Sequence, residues 1–169
     1  LQDGDIISVD VGAILNGYQS DACRTFMVGN VAPEVQDLVK RTEKSFWIGL
    51  EYAKVGMRTG DIGHAIQEYC EGFGYGVVRE LTGHGIGTTM HQDPDVPNYG
   101  RPGHGYKLKK GMAICVEPMI TLGTREIELL GDQWTIVTAD GKPASHYENT
   151  ILITDEGPYL TTYDYEEGF

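Results

Sequence analysis

Residues 6–28 read IISVDVGAILNGYQSDACRTFMV, two β-rich runs, Ile6 to Leu15 and Tyr18 to Val28, on either side of Asn16-Gly17. Asn-Gly between such runs is the strongest short-range hairpin signal, because a two-residue type I′ turn needs positive φ at both central positions. With Asn16 and Gly17 as the loop, Leu15 pairs with Tyr18 and Gly12 pairs with Asp21. Asp10 lies two residues from Gly12 and shares its face, since side chains alternate along a strand. Asp10 and Asp21 then become diagonal neighbours, about 7–8 Å apart at Cα. Two carboxylates on one sheet face repel each other unless something compensates, and a metal cation is the simplest compensation. The plainer alternative is a slip of one residue or a bulge, which sends one of the two into solvent.

The second informative stretch is LTGHGIGTTMHQDPDVPNY, Leu81 to Tyr99. His84 and His91 sit seven residues apart, with Gly83, Gly85 and Gly87 around the first and Pro94 and Pro97 after the second. Glycine permits close backbone approach and proline fixes φ, so this reads as a shaped loop. Imidazole is the commonest side-chain metal ligand and proton carrier near neutral pH. The plainer reading is a glycine-rich turn with incidental histidines.

Between these stretches, Pro33 to Val55 reads as a helix. Its stripe is Val35, Leu38, Val39, Thr42, Phe46, Gly49, Leu50 and Ala53, and Gly56 lies just past its end. A second helix is expected over Gly60 to Glu71, with Thr59 as N-cap and Ile62, Ala65, Ile66 and Tyr69 on its buried side. His64 on it reads as solvent-facing or structural. Gly76 to Leu81 reads as a short strand, and His104 as a loop residue. GRPGHGYK, Gly100 to Lys107, has Tyr106 where a phosphate loop needs lysine, so that motif is rejected.

Met112 to Leu122, MAICVEPMITL, reads as a strong strand with Glu117 among apolar neighbours. A carboxylate there is costly to bury without a partner, and Pro118 implies a bulge or an edge. Alternation puts Cys115 on the face of Glu117. Trp134 to Thr138 is a further short strand. Ala144 to Thr154, ASHYENTILIT, is the last strong one, with His146 at the parity of Glu148, and Asp155 to Pro158 reads as a turn.

Composition bounds the function. The chain has 169 residues and a formal net charge of −12, which argues against the basic face that nucleic acids or anionic membranes require. No apolar run is long enough to span a bilayer, and no signal peptide is visible. The opening LQDGD without an initiator Met reads as a fragment or a processed product. Cys23, Cys70 and Cys115 are widely spaced and odd in number, which fits reduced thiols in a cytoplasm, each read as a buried small hydrophobe. The expectation is one domain over residues 1–169, with no linker or second domain, cytoplasmic and monomeric.

Asp10, Asp21, His84, Glu117 and Glu148 stand out together. Four are acids in strands, where acids are depleted. Singly, each reads as an edge or surface residue. As a set they are oxygen-rich with one nitrogen, which suits Mn²⁺, Fe²⁺, Co²⁺ or Zn²⁺ and not a cysteine-paired structural zinc site. Four carboxylates exceed what one ion needs, and carboxylates bridging two ions would account for the excess.

The stretches DGDIISVDVGAILNGYQSDACRTF, GHGIGTTMHQDPDVPNYG, LKKGMAICVEPMI and ASHYENTILIT closely resemble the type I methionine aminopeptidases, in order and spacing, over essentially the whole chain. That resemblance implies an α+β pita-bread fold, a curved antiparallel sheet covered by helices. It implies that Asp10, Asp21, His84, Glu117 and Glu148 ligate two divalent ions (Co, Mn, Fe or Zn), with Asp21 and Glu148 bridging. His91 would contact substrate, Glu117 would shuttle a proton, and Met90 and Trp134 would line a methionine pocket. The implied activity is hydrolytic removal of N-terminal methionine from nascent proteins and peptides, by a hydroxide bridging the ions, in the neighbourhood of the ribosome. The resemblance departs in two places. The family's further N-terminal segment, with a second active-site histidine, has no counterpart here, so the fold is expected to be N-terminally incomplete. Asn149 stands where many bacterial members carry histidine. The rivals are a proline-directed aminopeptidase or dipeptidase of the same fold, a non-catalytic peptide-binding fragment, and an acidic α+β domain whose strand carboxylates are structural.

Overall fold

The computed structural model describes residues 1–168. β1 (Ile6–Leu15) and β2 (Tyr18–Met27) form the expected hairpin, with Leu15 opposite Tyr18 and Gly12 opposite Asp21. Asn16 (φ 52) and Gly17 (φ 84) both take the positive φ that a type I′ turn requires. The two helices follow, α1 (Pro33–Leu50) and α2 (Thr59–Glu71). The remaining strands are β3 (Gly76–Val77), β4 (Gly83–Gly85), β5 (Gln92–Val96), β6 (Ala113–Val116), β7 (Met119–Thr121), β8 (Ile127–Leu129), β9 (Ile136–Thr138), β10 (Ala144–His146), β11 (Glu148–Thr154) and β12 (Gly157–Leu160).

Seven strands make the main sheet, in the order β1-β2-β11-β6-β4-β5, with β12 also paired to β11. The described pairs within it are antiparallel. A smaller sheet runs β10-β7-β3, and β8 pairs with β9. The core lies between the helices and these two larger sheets. Leu38, Phe46 and Leu50 of α1 and Ile62 and Ile66 of α2 meet Ile114, Val116, Ile120, Ile151 and Ile153 from the strands. Phe46 and Tyr147 pack with ring centroids 5.2 Å apart. Gly49 allows the helices to cross closely, because a Cβ there would stand 2.8 Å from Ile66 Cγ1.

Several boundaries differ from those expected. The first helix stops at Leu50 instead of Val55. The amides of Tyr52 and Ala53 bond three residues back, to Gly49 and Leu50, which tightens and ends the helix. Ala53 stays buried, so the apolar stripe outruns the helix. Thr59 does not cap the second helix. The Arg58 N–H donates to Asp61 Oδ2 (2.7 Å), and the Thr59 hydroxyl oxygen instead accepts the Tyr106 N–H (3.1 Å). The strand expected over Gly76 to Leu81 is only β3, and the shaped loop contains two strands, β4 and β5. Pro94 is tolerated because β5 is the edge of its sheet.

The two long strands are each broken. Met112 to Leu122 divides at Glu117-Pro118 into β6 and β7, and Ala144 to Thr154 divides at Tyr147 into β10 and β11. The breaks face each other, since β6 pairs with β11 in the main sheet while β7 pairs with β10 in the small one. Both strands therefore leave one sheet for the other at the same level. The turn at Asp155-Glu156 is shorter than expected, because Gly157 and Pro158 already belong to β12.

Helix α2 holds the β5 region from the side. A Cβ on Gly63 would collide with the backbone carbonyls of Pro97 and Tyr99, and one on Gly60 with those of His104 (2.6 Å) and Arg101 (2.7 Å). Backbone cannot move aside as a flexible side chain can. Gly63→Ala is therefore expected to cost about 1–3 kcal/mol through overpacking. Gly131→Ala, where a Cβ meets nothing within 4 Å, serves as the control. Urea midpoints measure both, and equal midpoints would contradict this packing.

Candidate metal centre

The concave arrangement follows from register. Asp10 pairs with Cys23 and Gly12 with Asp21, so Asp10, Asp21 and Cys23 share one face of the hairpin. Cys23 in turn pairs with Glu148 on β11, and Thr150 pairs with Cys115 on β6. The Thr150 hydroxyl accepts the Asp21 N–H and donates to the Asp21 carbonyl, both at 2.9 Å, which fixes Asp21 against β11. The opposed strand breaks place Glu117 beside Glu148. The Glu117 carbonyl, freed from a ladder by the break, accepts a hydrogen bond from Asn98 Nδ2 (3.0 Å).

His84 enters from β4 and is buried. Its glycine neighbours have a steric reason. A Cβ on Gly83 would strike the Cys115 carbonyl, and one on Gly85 the Asp93 carbonyl, so only glycine lets β4 lie this close to β6 and β5. His84 Nδ1 is 2.9 Å from the Gly85 carbonyl oxygen. A carbonyl only accepts, so Nδ1 carries the proton and Nε2 presents a lone pair. Nε2 lies 3.6 Å from Glu117 Oε2 and 3.9 Å from Asp21 Oδ2.

Ligand atoms of Asp21, His84, Cys115 and Glu148 all lie within 4.8 Å of one another, and so do those of Asp10, Cys23 and His146. Like charges crowd here. Burial first, and then the Glu148 charge, push the Glu117 carboxyl far above the ordinary carboxylate range. Glu148 is raised in the same direction, by burial and then by Asp21. Asp10 is raised by burial and then by the Asp21 charge. Glu148 Oε1 is shut from solvent with no hydrogen-bond partner among the described residues. A buried acceptor left unpaired costs about 1–3 kcal/mol, and a divalent cation would satisfy it while neutralising its neighbours. The donor set, mostly carboxylate oxygen with one aimed imidazole nitrogen, fits such an ion.

The structure thus brings together Asp10, Asp21, His84, Glu117 and Glu148. His91 is exposed, with its ring 4.4 Å from that of His84 and at 63° to it. Met90 is half-buried and lays its thioether over Gly12, on the face that carries Asp10. Trp134 is not brought to the cluster. It precedes β9, in the turn from β8, and is 86% exposed, and it lines none of the described pockets. Cys115 lies at the centre, as its alternation with Glu117 implied. Cys23 and His146 also border the centre and were not expected there. Their signal was parity, Cys23 with Asp21 and His146 with Glu148. The largest described cavity, about 730 Å³, lies elsewhere, on the outer side of the β1–β2 hairpin against Tyr163 and Tyr165.

A curved antiparallel sheet under two helices, with a carboxylate-rich candidate cation site where its strands break, defines a pita-bread domain. The family model for metallopeptidase family M24 matches residues 1–155, and the chain belongs to that family. It is similar to the methionine aminopeptidase of Clostridium acetobutylicum, with 57% identity over 162 residues. That match covers 96% of this chain and 65% of the relative, so the chain spans less than two thirds of that protein's length. A crystal structure of methionine aminopeptidase from Thermotoga maritima superposes with a TM-score of 0.94 at 42% identity, over 96% of this chain and 66% of that one. The prolidase of Pyrococcus furiosus superposes less well, with a TM-score of 0.77 at 26% identity, over 97% of this chain and 43% of that one.

The raised carboxyls give a pH signature. An acid whose folded pKa lies above its unfolded value contributes fully below the ordinary carboxylate range, and its contribution is lost as pH rises towards the folded value. The ion-free protein is therefore expected to lose stability from about pH 5 to about pH 9, and Glu117→Gln to show a smaller loss. Saturating Mn²⁺ or Co²⁺ should flatten the profile, because ligands bind ions as anions. Thermal melts across this range are the check, and equal slopes in wild type and Glu117→Gln would contradict the assignment.

Proposed function

We propose that this chain carries the catalytic centre of a metal-dependent aminopeptidase that removes N-terminal methionine from nascent proteins and peptides. The observation that supports it most is His84, whose Gly85 bond turns Nε2 onto Asp21 and Glu117 with the exposed His91 ring beside it. Asp10, Asp21, His84, Glu117 and Glu148 would hold two divalent ions, with Asp21 and Glu148 shared between them. When bound, such ions supply Lewis acidity that makes water nucleophilic near neutral pH and polarises a carbonyl.

The chain's own residues supply the rest. Glu117 accepts the proton of the attacking water and returns it to the departing amine, as a buried carboxylate with raised proton affinity suits. His91 donates to the developing oxyanion or holds the next peptide unit. Met90 offers an apolar thioether surface on the same face, against which a methionine side chain packs. Trp134, exposed as it is, would have to close over a seated substrate to line the same pocket. The negative field of the carboxylates favours the free amino end of a chain over an internal peptide.

The proposal extends to one catalytic domain over residues 1–169, acting as a monomer in the cytoplasm near the ribosome. No helix of the described residues is long and apolar enough to cross a membrane. The stronger match to methionine aminopeptidases than to a prolidase supports methionine over proline specificity.

Met-Ala-Ser and Ala-Pro peptides, assayed with Co²⁺ or Mn²⁺ added, test this reading. Cleavage of the first and not the second is expected. Glu117→Gln should lower kcat by about 10²–10⁴-fold. His91→Ala should lower it by about 10²–10³-fold with metal content unchanged. Failure to cleave Met-Ala-Ser, in both the 169-residue chain and a chain extended to the full length of its relatives, would overturn the proposal.

A further inference from the structure

The Asp10 side of the centre carries two groups that the proposed reaction leaves unused. Asp10, Cys23 and His146 bring a carboxylate oxygen, a thiol sulfur and an imidazole nitrogen within 4.8 Å of one another. They come from three strands and are held there by backbone. Asp10 and Cys23 are paired across the hairpin. His146 is anchored through the Thr25 hydroxyl, which accepts the His146 N–H (3.0 Å) and donates to the His146 carbonyl (2.7 Å).

The Cys23 thiol is fully buried. His146 Nε2 is shut from solvent with no hydrogen-bond partner among the described residues, and its nearest acidic atom, Glu148 Oε2, is 3.8 Å away. An imidazole with an unpartnered nitrogen, a thiol and a carboxylate around one point suit a borderline cation.

We propose that Asp10, Cys23 and His146 bind a borderline divalent cation, Zn²⁺ or Co²⁺, through oxygen, sulfur and nitrogen. The ion on the Asp10 side of the centre is thereby ligated by a thiolate. This rests on Asp10 being an ion ligand, as in the function proposed above. As the sulfur–metal bond forms, the thiol proton passes to solvent. The Cys23 thiolate then adds its negative charge to that of Asp10 beside the ion. A thiolate favours Zn²⁺ and Co²⁺ over Mn²⁺, so this pocket biases the centre's metal preference. The other nearby thiol, Cys115, already has the Thr150 hydroxyl at 3.6 Å and belongs to the Asp21, His84 and Glu148 group, so it serves as the control.

Titration with Co²⁺, followed by absorbance and by metal content, tests the proposal. Wild type should develop a thiolate-to-cobalt charge-transfer band in the near ultraviolet. Cys23→Ser should abolish it and Cys115→Ser should retain it. His146→Gln should weaken cobalt binding at this pocket by about tenfold or more, since groups one step behind metal ligands already count for roughly 10–100-fold. Zinc-edge X-ray absorption on wild type needs no variant and should show one sulfur neighbour. Absence of the band and of a sulfur neighbour at saturating metal would overturn the proposal. So would a band that survives Cys23→Ser and vanishes in Cys115→Ser. Binding without sulfur would leave the carboxylate centre standing, whereas no binding at all would remove both.

Discussion

Four carboxylates and one imidazole are gathered on one concave, largely buried face, and the rest of the fold is arranged to keep them there. Left alone the group is unfavourable, because burial and mutual repulsion both disfavour charge. Burial and mutual repulsion hold the Glu117, Glu148 and Asp10 carboxyls above the ordinary carboxylate range, which favours their protonated forms. The cluster stores unfavourable electrostatics that a bound cation would relieve, and that difference would supply affinity.

Backbone geometry maintains the crowding. Thr150 ties Asp21 to β11, and the paired breaks at Glu117-Pro118 and Tyr147 set two glutamates side by side as their strands change sheets. Gly83 and Gly85 admit β4 so close to its neighbours that His84 is carried in. Helix α2 rests on the carbonyls of the segment after β5 and keeps that edge in place. Arg24 completes the joint from the other face. Its guanidinium donates to the carbonyl of Cys23 (2.9 Å) and to Asn149 Oδ1 (2.8 Å), and bonds the carbonyl of Glu148, beneath the strands that carry the ligands.

The hairpin was legible down to its register, because Asn16-Gly17 admits one tight turn and alternation does the rest. The five clustered residues were legible for a related reason, as acids in strands conflict with burial and conflicts mark sites. The strand breaks were harder. Pro118 announced an irregularity but not a change of sheet, and nothing in ASHYENTILIT announces a break at Tyr147, which follows from pairing with a partner already broken. Leu50 ends α1 although apolar spacing continues to Ala53, because a buried turn can use the same periodicity. β8 and β12 are short and paired locally, which leaves little pattern to read. Cys23 read as a small hydrophobe, which its burial satisfies. Only the register, which seats it between Asp10 and Glu148, shows its second character.

The central claim is that the cluster is a cation centre, and calorimetric titration of the ion-free chain with Co²⁺ or Mn²⁺ tests it most directly. Two ions per chain are predicted for wild type. Glu148→Gln should lose most of the binding, while a substitution at the distant Glu68 should lose none. A wild-type chain that takes up no ion, or a Glu148→Gln chain that binds as well as wild type, would contradict the account.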